Sequence, residues 1–352
     1  MAITPDSLNS ESNTMTDAKY SERSGLRTLR GVQVLGTGSY LPDQIVTNQD
    51  LASLGYDSDW ILQRTGIQAR RKLPDDLATS DMAIEAAQRC IEQSDVNPHL
   101  IDLIIVATMT PDSPVPSAAC LVQDRLGLQA PAMDVNAACA GFMYALVTAS
   151  QFVAAGGSKY ALVIGADTNT RIVNPQDVKT YPLFGDGAGA VLLGKGDSTQ
   201  GFASYTLGAE GDGASLLGIP AGGSRCPLTA ESIVSGQQFI HMDGRSVFKW
   251  AVRLLCDTIQ DVLLHAECTV DDVDLVILHQ ANARIIDAAA DGLKIDRSKL
   301  VVNLDQYGNT SAGSIPICLD ECHRTSGIRP GDKILLCGFG AGLAWGAALL
   351  EW

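Results

Sequence analysis

Aromatic side chains supply only 5% of the 352 residues, charged ones only 18%, and no CxxC pair occurs among the nine cysteines. Scattered thiols argue against a disulfide framework, and five dispersed histidines argue against a zinc cluster. Cys318 and Cys322, followed by His323, fall at helical spacing and read as core-facing thiols rather than metal ligands. Basic residues are outnumbered 25 to 40, giving a net charge of −15, which disfavours nucleic acid as a general partner. The Ser/Thr/Asp/Glu-rich N-terminus lacks the apolar run of a signal peptide and predicts a mobile extension over residues 1–28. A reduced, cytoplasmic, globular protein is expected, and a hydrophobic content of 46% promises a sizeable core.

Residues 135–158 carry no charge and are long enough to cross a bilayer. Asn136, Thr148, Ser150 and Gln151 interrupt the run, and glycines bracket it, so a helix buried on all sides is expected and no membrane association.

The chain repeats itself. Ile101-Asp102-Leu103-Ile104-Ile105-Val106 resembles Val273-Asp274-Leu275-Val276-Ile277-Leu278 at an offset of 172, and Leu35-Gly36 matches Leu207-Gly208 at the same offset. The small-residue turns at Cys139 and Ser311 are again 172 apart, and Lys159 and Lys333 are 174 apart. Four matches in order imply a duplicated domain, with halves over residues 29–200 and 201–352. In each half, continuous apolar strands such as Leu103 to Ala107 alternate with amphipathic helices such as Asp81 to Gln93. That alternation predicts an α/β fold of mainly parallel sheet, with helices packed between the two halves. Gly185-Asp186-Gly187-Ala188-Gly189 and Gly338-Phe339-Gly340-Ala341-Gly342 lack GxGxxG spacing and predict close backbone packing rather than nucleotide binding.

Three residues sit at strand ends. Cys139 lies where a strand turns into the uncharged helix, and the helix dipole there predicts a lowered thiol pKa and a nucleophile. His279 follows an apolar strand, at the edge where open α/β sheets bind ligands. Asn309 lies in the duplicate of the cysteine turn. A pseudo-twofold axis between the halves brings the Cys139 and Asn309 turns together.

These segments, Asp134-Val135-Asn136-Ala137-Ala138-Cys139-Ala140-Gly141-Phe142, His279-Gln280-Ala281-Asn282 and Tyr307-Gly308-Asn309-Thr310-Ser311-Ala312, resemble the three active-site motifs of the β-ketoacyl-acyl-carrier-protein synthase III family. The resemblance runs from about Leu29 to Trp352. It implies a thiolase-like fold of duplicated βαβαβαββ halves in a five-layered α-β-α-β-α arrangement. It also implies a decarboxylative condensation of an acyl-CoA primer with malonyl-acyl-carrier protein, initiating fatty-acid synthesis.

By the same resemblance, Cys139 carries the acyl group, while His279 and Asn309 stabilise the enolate. The backbone N–H groups of Cys139 and Ala341 form an oxyanion hole; the family usually has glycine at the latter position. Trp60, Arg64 and Arg171 match coenzyme A contacts. Val115 and Phe339 match the primer pocket, and Val115 stands where relatives often carry a phenylalanine contributed by the partner subunit of a homodimer. Arg245, Lys249 and Arg253, with Arg284, match a patch for an acidic carrier protein, and no metal, nicotinamide or flavin is expected. Two-histidine elongating synthases and hydroxymethylglutaryl-CoA synthases fit the motifs poorly. A synthase III-like enzyme of secondary metabolism, a cysteine thioesterase-type hydrolase and a non-catalytic carrier-binding protein are the alternatives.

Overall fold

The computed structural model describes residues 24–52, 54–325 and 327–352. Most of the expected N-terminal extension, residues 1–23, lies outside the described residues.

Two five-stranded sheets form the scaffold. The first has the order Val32–Tyr40, Asp186–Lys195, Tyr160–Thr168, Leu103–Ala107, Ala132–Val135. The second has the order Arg27–Arg30, Gly201–Ala209, Ala344–Glu351, Lys333–Gly340, Leu275–Leu278. The last four strands repeat the order of the first sheet's first four. The place of Ala132–Val135 is taken in the second half by a single parallel bridge between Val276 and Leu300.

The sheets are mixed rather than mainly parallel. Leu103–Ala107 runs parallel to both its neighbours, and Leu275–Leu278 parallel to Lys333–Gly340. The other pairings are antiparallel. A parallel neighbour needs a helical crossover, whereas Lys333–Gly340 returns into Ala344–Glu351 through a tight turn at 341–343. One strand departs from the division into halves: Arg27–Arg30, split by the expected boundary at residue 28, pairs with Gly201–Ala209 in the second sheet.

Helices Gly141–Ala154 and Ser314–Thr325 pack between the sheets and touch strands of both. Gly141–Ala154 is the uncharged segment of the sequence, and nine of its fourteen residues are buried. Its buried residues meet both sheets, while Gln151, Phe152 and Ala154 in its last turn are exposed. Thr79–Gln93 covers the outer face of the first sheet. Gly244–His265 and Ala283–Leu293 pack together, the former against the second sheet. The result is a five-layered α-β-α-β-α thiolase fold. Its central core joins Ile105, Phe142 and Val163 of the first half to Ile277, Ile315 and Leu336 of the second. Among the described residues, no helix is long and apolar enough to cross a membrane.

The glycine-rich segments lie within or at the edge of strands Asp186–Lys195 and Lys333–Gly340. A Cβ at Gly165 would stand 2.2 Å from the Ala312 carbonyl oxygen, and one at Gly340 would stand 2.8 Å from the Cys139 nitrogen. Only glycine allows these backbones to meet.

Candidate active site

The two turns that carry Cys139 and Asn309 are built alike. Each is a single 3₁₀ turn, Ala138–Ala140 or Ser311–Gly313, leading directly into a central helix. Each opens on a non-glycine residue in the left-handed region, Ala138 at φ 47° and Ser311 at φ 52°. Backbone of this kind persists only when its surroundings enforce it and concentrates at functional sites. The correspondence of the turns runs at 173 residues rather than 172, so Cys139 pairs with Ala312, and Gly141 with Ser314.

Asp167 ties the second turn to the first half of the fold. Fully buried, its carboxylate accepts from Thr108 Oγ1 at 3.0 Å and Met109 N at 2.8 Å in the first half, and from Ala312 N at 3.1 Å in the second.

Cys139 lies buried at the head of the central helix. The position predicts a lowered thiol pKa, but burial pushes the thiol up to about 12, opposed by the Ser311 hydroxyl. That rise from an ordinary thiol corresponds to roughly 4 kcal/mol, whereas a helix terminus returns about 0.3–2 kcal/mol. Desolvation outweighs the helix terminus.

His279 follows strand Leu275–Leu278, with its backbone N–H donating to the Cys337 carbonyl at 2.8 Å. Its ring is buried, meets Phe339 edge-on with centroids 5.2 Å apart, and has Nδ1 2.7 Å from Ser314 Oγ. Burial pulls its pKa down to about 3, so the imidazole is neutral at physiological pH.

Asn309 is fixed on three sides. Its N–H donates to Leu183 O at 2.8 Å, its carbonyl accepts from Gly185 N at 3.0 Å, and its Oδ1 accepts from Ser311 N at 2.8 Å. The amide Nδ2 is thereby left as the donor that serves the cavity.

Cys139, His279 and Asn309 line one cavity of about 990 Å³ together with Phe339, Gly340 and Ala341. The wall is predominantly apolar, while the rim carries Trp60, Arg64, Lys179, Arg245, Lys249 and Arg284. Trp60 and Arg64 lie on helix Ser58–Thr65, the Arg64 guanidinium 5.9 Å from the indole centroid. The Asn282 side chain donates to Arg64 O at 3.2 Å, which ties this helix to the histidine motif. The Arg284 guanidinium stands 5.5 Å from the Phe248 ring.

Three expected contacts stand apart from the cavity wall. Arg171 donates to the carbonyls of Pro74, Asp75 and Leu77. Arg253, farther along its helix than Lys249, pairs with Asp257 at 3.6 Å. Val115 is 84% exposed in the loop before helix Ala118–Arg125.

Sequence reasoning missed Met109, Phe184, Ile240, Met242 and Trp250 in the wall and Lys179 on the rim. Helical spacing was the available signal for Trp250, which falls with Val247 and Leu254 on the buried face of Gly244–His265. For the others, set by loop paths, no local pattern exists.

Two family descriptions match the chain: "3-Oxoacyl-[acyl-carrier-protein (ACP)] synthase III" over residues 133–211 and its "C terminal" counterpart over residues 263–352. A β-ketoacyl-[acyl-carrier-protein] synthase III of Rhodopirellula baltica is 55% identical over 92% of this chain and 99% of its own length. One of Natranaerobius thermophilus is 47% identical over 92% of this chain and 100% of its own. The crystal structure of 3-oxoacyl-[acyl-carrier-protein] synthase III from Aquifex aeolicus superposes with a TM-score of 0.83 at 40% identity, covering 92% of this chain and 100% of that one. A thiolase fold, three motifs converging in one cavity, and full-length similarity at this level agree: the chain belongs to the β-ketoacyl-[acyl-carrier-protein] synthase III family of acyl-transferring condensing enzymes, which carry out the initiating condensation of fatty-acid synthesis.

Proposed function

We propose that the chain condenses an acyl-CoA primer with malonyl-acyl-carrier protein through an acyl group held on Cys139. The observation that carries this reading is the convergence of a buried thiol, a neutral imidazole and a carboxamide donor on one apolar cavity.

In the first step the Cys139 sulfur attacks the primer's thioester carbonyl. The tetrahedral oxyanion is met by the backbone N–H groups of Cys139 and Ala341, and coenzyme A leaves as the thiol carrying the cysteine's proton. One such donor is worth about 2.7–4 kcal/mol of barrier. Ala341 keeps the N–H that glycine supplies in relatives, and the tight contact of Gly340 with Cys139 supports its approach to the site.

In the second step malonyl thioester loses carbon dioxide, and the electron pair of the broken C–C bond becomes an enolate. His279 and Asn309 donate to its oxygen. Neutral donors suit this task, since a cation would also hold the departing carboxylate. The carbanion then attacks the acyl carbonyl and expels the Cys139 thiolate, which takes up a proton from solvent to restore the thiol. These steps balance without metal, nicotinamide or flavin.

The rim explains the two thioester carriers. Trp60 and Arg64 offer a stacking surface for adenine, while Arg245, Lys249 and Arg284 place positive charge on a −15 protein where an acidic carrier would dock. Arg171 and Arg253 lie outside the cavity wall and engage the 74–77 segment and Asp257. A homodimer would bring the exposed Val115 to the partner's primer pocket, where a side chain smaller than phenylalanine admits primers longer than acetyl. Nine unpaired thiols support a reducing, cytoplasmic setting.

The partial reactions test the division of labour. Cys139→Ala is expected to abolish acyl transfer and keep malonyl decarboxylation; Asn309→Ala is expected to impair decarboxylation more than acylation. Equal loss of both reactions in both variants would overturn it.

A further inference from the structure

Ser314 has no role in the steps above, yet its hydroxyl is the polar contact of the His279 ring: Oγ and Nδ1 lie 2.7 Å apart, and both residues are buried. It is the first residue of helix Ser314–Thr325, five positions beyond Asn309, so one turn of chain contacts the histidine and carries the asparagine. Its counterpart in the first half is Gly141, which has no side chain. The hydroxyl is therefore a feature of the histidine-bearing copy alone.

The direction of the hydrogen bond follows from satisfying every buried proton. Among the described residues, Ser314 Oγ has no hydrogen-bond partner other than His279. If Nδ1–H donated to Oγ, the hydroxyl's own proton would be buried without an acceptor, an arrangement that folded proteins avoid. If the hydroxyl donates to Nδ1 instead, its proton is satisfied and the imidazole must carry its single hydrogen on Nε2. Burial already keeps the ring neutral, and the Phe339 edge contact fixes its plane.

We propose that Ser314 is a positioning residue of the condensation: its hydroxyl donates to Nδ1 of His279 and holds the imidazole as the Nε2–H tautomer, with the donor directed into the cavity. The inference rests on the reading of His279 as a donor to the enolate. An unanchored ring would divide its population between tautomers, and the Nδ1–H form presents a lone pair, not a proton, to the developing oxyanion.

The test uses the full-length enzyme labelled with ¹⁵N-histidine, with the His279 signal assigned by its loss in His279→Gln. The wild type is expected to show His279 as the Nε2–H tautomer from pH 6 to 8, and Ser314→Ala to show a mixture. Ser314→Ala should slow malonyl-acyl-carrier-protein decarboxylation about tenfold, the size of one buried hydrogen bond, while acylation of Cys139 changes less than about threefold. Ser314→Thr, which keeps the hydroxyl, should restore both tautomer and rate. An unchanged tautomer in Ser314→Ala, equal loss of both partial reactions, or failure of Ser314→Thr to rescue would overturn the proposal. Normal decarboxylation in His279→Gln would instead sink the underlying assignment of His279, so the two failures are distinguishable.

Discussion

Gly165→Ala probes whether the two catalytic turns depend on direct backbone contact across the halves. The added Cβ would stand 2.2 Å from the Ala312 carbonyl oxygen, 2.8 Å from its carbon, and 3.3 Å from the Phe142 ring. Bringing the closest of these to an ordinary contact requires about 1.2 Å of separation, given carbon contacts of roughly 3.4 Å and above. The atom to be moved is backbone, held from behind by Asp167 through the Ala312 N–H. No rotamer change can relieve the clash. Overpacking of well-filled cores costs about 1–3 kcal/mol, and a rigid backbone neighbour places this substitution at or above the upper end. The functional loss should be larger, because a displacement of about 1 Å in a reacting pair costs roughly a hundredfold in rate. Thermal unfolding and the two partial reactions, measured on one preparation, give both numbers. A variant that melts with the wild type and condenses at more than half its rate would refute the claim that this contact sets the site.

Two further outcomes follow from the buried ionisable groups. With the Cys139 thiol at about 12, alkylation of Cys139 by iodoacetamide, read on its own peptide, should rise about tenfold per pH unit from pH 7 to 10; a plateau below pH 8.5 would show that the helix dipole overcomes desolvation. His279 is held neutral with a pKa lowered to about 3, so the unfolded chain binds its proton first as pH falls. Its contribution to stability is complete above about pH 6.5 and is lost toward pH 3 at roughly 1.4 kcal/mol per pH unit; His279→Gln should flatten that part of the profile, and an identical acid limb in denaturant titrations would contradict the shift.

The features legible in the sequence are those with local or periodic signatures. The repeat at Asp102 and Asp274, the uncharged helix after Cys139, and the strand-end placement of Cys139 and His279 all read directly from residue order, whereas Asn309 follows the short helix Leu304–Tyr307 rather than a strand. The duplication supplied the long-range step, because two copies of one turn imply an axis that brings them together. Local pattern says nothing about which chemistry dominates a pKa, so position at a helix head predicted a lowered thiol when burial raises it. Nor does it show which backbone carbonyls will claim an arginine: Arg171 is spent on the 74–77 segment and Arg253 on Asp257. Arg27–Arg30 crosses to the second sheet because Gly201–Ala209 offers it an antiparallel edge. A pairing so distant in sequence leaves no trace in periodicity. The apolar wall at Met109, Phe184 and Ile240 is likewise assembled from separate loops, each unremarkable alone.

Covalent occupancy of the thiol is the most direct test of all. The intact enzyme is incubated with acetyl-CoA, digested and analysed by mass spectrometry, then chased with malonyl-acyl-carrier protein. The acetyl group is expected on the peptide containing Cys139 alone, stable in buffer, and transferred to the β-ketoacyl product only when the malonyl donor arrives. Acetyl on another residue, loss to water without the donor, or no acylation at all would contradict Cys139 as the carrier of the primer.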